Sequence, residues 1–472
     1  MEPVQLIDLL AATRAESAGM KDEHLVFSRV SVDSRTLQPG DLFWALRGAK
    51  HDGHRFVDEA RRRGAIACVV GRGCETAVHG PCVVVEDTTR ALHDFACWYR
   101  RKSEALLIAV TGSVGKTTTR EMLYSVLSAR HTGRRSQKNF NNEVGLPLSL
   151  LDLESGDEFG VFEMGAARIG DIRALCDIAS PEVGVITRIG LAHLETFGSL
   201  ENIYQGKGEL LEALPVSGFA VVCGDDDRIK GLASRAACPV IFVGERPGNQ
   251  VRATNVVFRP GRLQFQVDGR SYEVAAPARH YLTAALCALA VAREIGMEDS
   301  AIVEGFGRFA GQPGRCAIER TNAFTIIDDT YNANPLSMQA ACLTLRDWPG
   351  EHNKLLVVGD MLELGGEAQK CHRELGAHVA AASLDRLLAF GENAQHVSSG
   401  ALNAGMRPHT VAECRELDSL LAVLDCWLEP GDVVLVKGSR GMRMERVVNW
   451  LKQQHRESRI EYNIPAAARA VA

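Results

Sequence analysis

The 472-residue sequence lacks long apolar runs, none reaching the roughly 18 residues that a membrane-spanning helix requires, so no membrane insertion is expected. It also lacks an excess of positive charge. A formal net charge of -6 gives no basic footprint for nucleic acid, and no nucleic-acid partner is expected. Two local clusters, Arg61-Arg62-Arg63 and Arg134-Arg135, read as solvated faces. No two of the 13 cysteines are spaced as C-x-x-C, and none lies near a histidine pair with zinc-finger spacing. They read as buried small hydrophobes in a reducing compartment. The first 20 residues contain Glu2, Asp8 and Glu16 and lack the basic start and apolar core of a secretory signal, so a cytoplasmic location is expected. Internal repeats and low-complexity tracts are absent.

What is present is ordinary globular composition, 46% hydrophobic and 24% charged, in a chain too long for one core. Residues 1–102 read as a small α/β unit with a turn at Gln38-Pro39-Gly40 and a closing charged helix over 89–102. Residues 103–313 form a second unit. Its apolar stretches at 106–110, 160–163, 183–189, 219–223 and 240–243 alternate with helical patterns, which predicts a mostly parallel sheet covered on both faces. Residues 256–274 read as appended antiparallel structure, and 279–295 as an alanine-rich helix. Gly311-Gln312-Pro313-Gly314 marks a linker. Beyond it, residues 314–472 carry strands at 325–327, 354–358, 386–390 and 432–436, a Rossmann-like pattern. The expected fold class is α/β in three domains, with a central parallel-sheet ATPase domain and a Rossmann-like C-terminal domain.

The strongest local signal is Gly112-Ser113-Val114-Gly115-Lys116-Thr117-Thr118 between a strand and a helix. Glycines there let backbone N–H groups curl around phosphate oxygens at a helix N-terminus. Lys116 would face the β and γ phosphates, and the Thr117 hydroxyl would bind Mg²⁺. The loop is shorter than the usual phosphate-binding pattern, since Ala109 stands where its first glycine would be. No N-K-x-D guanine-reading pattern occurs, so ATP is the expected nucleotide. Glu163 ends a strand, where α/β sheets display catalytic groups, and suits Mg²⁺. His193 follows another strand and could face the same crevice, although taken alone it would more often be structural. Lys207 alone would be a surface lysine.

Together these segments resemble the Mur ligase family. The resemblance is carried by residues 111–118, by His193-Leu194-Glu195 with Lys207-Gly208-Glu209, and by Asp328-Asp329-Thr330-Tyr331-Asn332-Ala333-Asn334-Pro335. Residues 32–35, 39–43, 139–148, 359–365 and 436–440 extend it, so it runs from residue 32 to 440. It implies an ATP-dependent amide ligase acting through an acyl-phosphate, with UDP-N-acetylmuramoyl-tripeptide and D-alanyl-D-alanine as partners. It also implies an N-terminal domain that holds the UDP end, a central ATPase domain and a C-terminal domain that closes over the site. Asp33, Ser34 and Arg35 would lie near the UDP-sugar, Asn141 and Asn142 near the peptide, and Lys437 and Arg440 on substrate. Thr117, Glu163 and His193 would serve Mg²⁺. Lys207 matches the lysine that related ligases carbamylate to hold a second Mg²⁺. Arg315 would reach the γ-phosphate, and His280, Asp329, Tyr331 and Asn332 would contact the rest of ATP. A monomer is expected. One departure stands out: the family usually has His-Asn, with the asparagine facing adenine, where this chain has His280-Tyr281. Tyr281 would then stack on the base, or adenine selectivity would be weaker. The rival readings are another family member or a folylpolyglutamate-type ligase, and a non-catalytic nucleotide-binding sensor.

Overall fold

The computed structural model describes residues 1–20, 22–48, 51–74, 80–137, 139–350 and 352–461, with side chains to residue 453. Residues 462–472, which fall in the expected third unit, lie outside the described residues. The apolar run Leu106–Thr111 forms a strand buried on both faces. Ile108 and Val110 join one core with Met122, Leu123 and Val126, whereas Leu107 and Ala109 join a second core with Phe95, Ile172 and Leu175. Side chains alternate across a strand, so a strand covered by helices on both sides must be apolar at every position.

This strand is fifth in a seven-stranded parallel sheet ordered Val251–Arg252, Val240–Gly244, Phe219–Cys223, Val183–Ile186, Leu106–Thr111, Phe159–Glu163, Gly133–Arg135. From Leu106–Thr111 the chain leaves toward one edge, and from Val183–Ile186 toward the other. A crevice therefore opens at the carboxyl ends of these two neighbours, the position where open α/β sheets bind ligands. Three antiparallel strands, Thr254–Arg259, Arg262–Val267 and Arg270–Val274, are appended as expected.

The N-terminal sheet has five strands in the order Glu16–Ala18, Cys82–Val85, Ala67–Gly71, Leu42–Trp44, Val30–Ser31, with only the first antiparallel. The helix Thr88–Arg100 starts at Asp87, whose carboxylate accepts the Thr89 and Arg90 amides at 2.7 and 2.8 Å. Its Phe95 ring packs against Phe27 and Trp44 of the N-terminal unit. Its far end is bonded to the central unit: Tyr99 Oη donates to Leu153 O at 2.6 Å, and Arg100 reaches Ala179 O at 3.0 Å and Glu182 at 2.9 Å. One helix thus packs against both units, and its buried apolar side chains lie in one continuous core that spans them. The C-terminal sheet is ordered Ala317–Arg320, Thr325–Asp329, Val433–Lys437, Lys354–Gly359, Arg386–Phe390, Val411–Cys414, parallel except for the first.

Several expectations need correction. The strand expected over 183–189 ends at Ile186, because from Thr187 the backbone turns to hydrogen-bond the phosphate loop. The helix expected over 279–295 opens with a tight turn at Arg279–Tyr281 and becomes α-helical only over Leu282–Glu294. In the central and C-terminal units four short strands, Gly133–Arg135, Val251–Arg252, Ala317–Arg320 and Val411–Cys414, escape sequence reading. Arg134 and Arg135 are not a free solvated face: Arg134 pairs with Asp157 at 3.0 Å, and Arg135 pairs with Glu121 at 3.0 Å and lies 3.9 Å over the Tyr124 ring. Arg61 likewise turns inward and donates to Pro81 O at 2.9 Å. All cysteines are free thiols, buried except for Cys74, Cys97 and Cys426. Among the described residues no helix is long and apolar enough to cross a membrane.

Candidate active site

The phosphate loop is built before any ligand arrives. Gly112 has φ +143°, and a Cβ there would meet Thr187 Oγ1 at 2.1 Å, so only glycine lets the loop pass this hydroxyl. The Ser113 and Val114 amides donate to Arg188 O at 2.7 and 3.2 Å, and Ser113 Oγ donates to Gly190 O at 2.8 Å. Gly115 turns the chain at φ +91° into the helix Lys116–Leu127. The amides of Lys116, Thr117 and Thr118 have no intrahelical acceptor and carry the positive end of the helix dipole. Lys116 Nζ donates back to Gly112 O at 2.8 Å, which sets its ammonium inside the loop. Burial and Arg315 lower its pKa, with Glu163 opposing.

Behind the loop lies a buried polar cluster. Thr117 Oγ1 donates to Glu163 Oε2 at 2.8 Å, Asn141 Nδ2 donates to Glu163 Oε1 at 2.8 Å, and Arg315 Nη2 donates to Thr117 Oγ1 at 2.8 Å. Burial alone would raise the Glu163 pKa, but Lys116, Arg315 and Arg120, with the Asn141 hydrogen bond, outweigh it and hold the carboxylate below its ordinary range. The result is an ionised carboxylate and a hydroxyl side by side, hard oxygen donors that fit Mg²⁺. Among the described residues no group of three or more His, Cys, Asp and Glu side chains is assembled for a metal.

His193 follows the strand Val183–Ile186, at φ +53°, and its Nδ1 contacts the carboxylate of Glu363 from the C-terminal unit, itself at φ +63°. Glu195 N also donates to Glu363 O at 3.2 Å, so these two units touch beside the site. Burial is the largest cause lowering the His193 pKa, with Glu363 opposing. Lys207, on the helix Leu200–Ala213, is not a surface residue: it is 2% exposed and donates to Ala166 O at 3.3 Å. Burial, then Lys116, push its pKa down to about 7.

A cavity of about 850 Å³ joins the loop to the C-terminal unit. Its walls include Lys116, Thr117, Asn141, Asn142, Glu163 and His193 on one side, and Arg315, Asp329, Tyr331, Asn332, Lys437 and Arg440 on the other, with His280 between. Asn142 caps the helix Gly145–Leu151 by accepting the Gly145 amide at 2.9 Å. Lys437, for which the resemblance implies substrate binding, is buried; its ammonium pairs with Asp329 at 2.7 Å and donates to Asn332 O at 2.8 Å, which shapes the 329–332 turn. The Arg440 amide donates to Asn332 Oδ1 at 3.4 Å. Tyr281 also lines the cavity, is 2% exposed, and has its hydroxyl spent on Arg315 O.

Asp33, Ser34 and Arg35 lie elsewhere, on the N-terminal unit. Arg35 pairs with Asp33 at 2.7 Å, and Ser34 Oγ donates to Glu59 at 3.1 Å. None of the three lines the cavity. Sequence reading missed Arg120, which is 2% exposed, bonded to Glu121 at 2.6 Å and 3.7 Å from Glu163. Its signal was the spacing of one helical turn from Lys116. It also missed Glu363, which no local pattern ties to His193.

A phosphate loop, a hard oxygen-donor pair and a cavity bounded by a third domain define a nucleotide-dependent enzyme of three α/β domains. Family models for the Mur ligase catalytic, middle and glutamate ligase domains match residues 26–98, 110–292 and 314–440. The chain belongs to the Mur ligase family, and it is an ATP-dependent amide ligase. It is 33% identical over 458 residues to the UDP-N-acetylmuramoyl-tripeptide--D-alanyl-D-alanine ligase of Escherichia coli K12, covering 95% of this chain and 98% of that one. A crystal structure of MurF from Acinetobacter baumannii superposes with TM-score 0.88 at 31% identity, covering 96% and 99% of the two chains. MurF ligase from Thermotoga maritima, in complex with ADP, gives TM-score 0.80 at 30% identity, covering 91% and 98%.

Proposed function

We propose that this chain joins D-alanyl-D-alanine to UDP-N-acetylmuramoyl-tripeptide, with ATP cleaved to ADP and phosphate. The observation that carries this reading is the Lys116, Thr117, Glu163 and Arg315 cluster facing a cavity that residues 329–332 close from the other side. A nucleotide-peptide carboxylate cannot react directly with an amine at neutral pH, because its leaving group would be oxide. Lys116 and the amides of the helix start hold the β and γ phosphates in line with that carboxylate. A carboxylate oxygen attacks the γ-phosphorus, ADP leaves, and the acyl-phosphate forms. The dipeptide amine then attacks the acyl carbon, phosphate leaves, and an amide results. Arg315 supplies fixed positive charge where the transferring phosphoryl becomes more negative. Mg²⁺, held by Thr117 and Glu163 with His193 nearby, would neutralise phosphate charge.

Two Mg²⁺ ions and a carbamylated Lys207 belong to this reading. The buried, easily deprotonated Lys207 amine is what carbamylation requires, since CO₂ reacts with the neutral form. We divide the chain at 102/103 and 313/314, and assign Asp33, Ser34 and Arg35 to the UDP end, Asn141 and Asn142 to the peptide, and His280, Asp329, Tyr331 and Asn332 to ribose and adenine. The protein works as a cytoplasmic monomer. The test is purified protein with ATP and Mg²⁺ in three parallel arms, read by mass spectrometry. They are the UDP-linked tripeptide with D-alanyl-D-alanine, the UDP-linked dipeptide with a diamino acid, and a folate with glutamate. Product in the first arm supports the assignment. Product only in another arm replaces it, and no product in any arm overturns it.

A further inference from the structure

The linker between the central and C-terminal units is fastened at the Arg315–Cys316 peptide plane. The Arg315 carbonyl accepts from Tyr281 Oη at 2.7 Å, on the central side. The next amide, Cys316 N–H, donates to Asp329 Oδ1 at 3.2 Å, on the C-terminal side, with Cys316 at φ +51°. The two ends of one rigid amide are thus held by different domains, and Arg315 projects from it. Its guanidinium donates to Thr117 Oγ1 at 2.8 Å and lies 4.0 Å from the centre of the Tyr331 ring. Three fixed points therefore define where this cation sits relative to the phosphate loop.

Tyr281 is built for this task. It ends the turn Arg279–Tyr281 just before the helix Leu282–Glu294, is 2% exposed, and meets Phe309 edge to face at 6.1 Å.

We propose that Tyr281 is a positioning residue for the ligase reaction: its hydroxyl holds the Arg315–Cys316 peptide so that the Arg315 guanidinium stands over the phosphate loop at Thr117. The inference rests on the function proposed above. Tyr281→Phe keeps the ring and its packing and removes only the hydroxyl. The turnover number should fall about tenfold, as small misplacements of a catalytic group do, while KM for ATP changes little. In an Arg315→Lys background the same substitution should cost less than twofold, because the group being positioned has already lost its planar donor set. Phe309→Leu loosens the neighbouring packing but leaves the hydroxyl, and should leave turnover within about twofold of the starting protein. Should Tyr281→Phe fail to fold, Tyr281→Asn removes the same hydroxyl with a side chain that the family accommodates, and should show the same loss. Unchanged turnover in Tyr281→Phe, an equal loss in Phe309→Leu, or full additivity with Arg315→Lys would overturn the proposal. Absence of any ATP-dependent product from the unsubstituted protein would instead sink the assigned function.

Discussion

Replacing Lys207 by Met should make the protein more stable at pH 7 and leave it little changed at pH 10. In the unfolded chain a lysine keeps its proton up to about pH 10.5, whereas burial and Lys116 push the folded Lys207 down to about 7. Folding between these pH values expels a proton. The stability associated with this group is therefore complete above pH 10.5, is lost as pH falls through the window, and stays lost below about 7. A drop of that size corresponds to about 5 kcal/mol as a ceiling, and relaxation around the ammonium reduces it to a few. The assay is the melting temperature of both proteins in CO₂-free buffer from pH 7 to 10, where groups other than Lys207 cancel in the difference. The gap between variant and parent should shrink by about 5 °C or more as pH rises. Bicarbonate should narrow it at pH 7 to 8 by converting Lys207 into a carbamate, because about half of its amines are neutral at pH 7 against about one ordinary lysine in 3,000. A gap that stays constant within about 1 °C across the range, with no bicarbonate effect, would refute the reasoning.

Lys116→Ala should remove most turnover, by about 100-fold or more, with the melting temperature nearly unchanged, since its charge is needed where negative charge builds up on phosphate; ADP release within about twofold of the parent would contradict this. Glu163→Gln should raise the Mg²⁺ concentration needed for half-maximal ATP uptake by about tenfold in calorimetry, as an anionic donor is lost and the neighbouring cations stay. Gly112→Ala should weaken nucleotide binding and lower the melting temperature, because its Cβ would stand 2.1 Å from Thr187 Oγ1 in a backbone at φ +143°; an unaltered melting curve would show that the loop is not held against that hydroxyl.

Where the sequence was legible, one physical requirement acted over many neighbouring residues. The strand at 106–111 had to be apolar throughout because helices cover both faces, the residue at 112 had to leave room for the Thr187 hydroxyl, and the one at 115 had to turn the chain at positive φ. Edge strands such as Gly133–Arg135 left no such trace, since three residues with one partner need no pattern. Among site residues, Lys116, Thr117 and Glu163 follow from local position on a strand–loop–helix unit. His193 and Glu363 meet only because two domains abut, which nothing in either neighbourhood records. Arg120 and Tyr281 carry ordinary helical surroundings, and their meaning lies in what the fold puts opposite them.

The helix Thr88–Arg100, set in a core that runs through the N-terminal and central units and bonded at its far end to Leu153, Ala179 and Glu182, makes the first half of the molecule a ruler. Under the proposed function, in which the N-terminal unit holds the uridine end of the substrate, the standoff to the phosphate loop would not adjust to the guest. A peptide arm one residue short would hold its carboxylate about 3.5 Å farther from the transferable phosphorus than the full-length arm does, beyond near-attack distance, so under the proposed function stem length is measured by the standoff between the units and not by contacts along the stem.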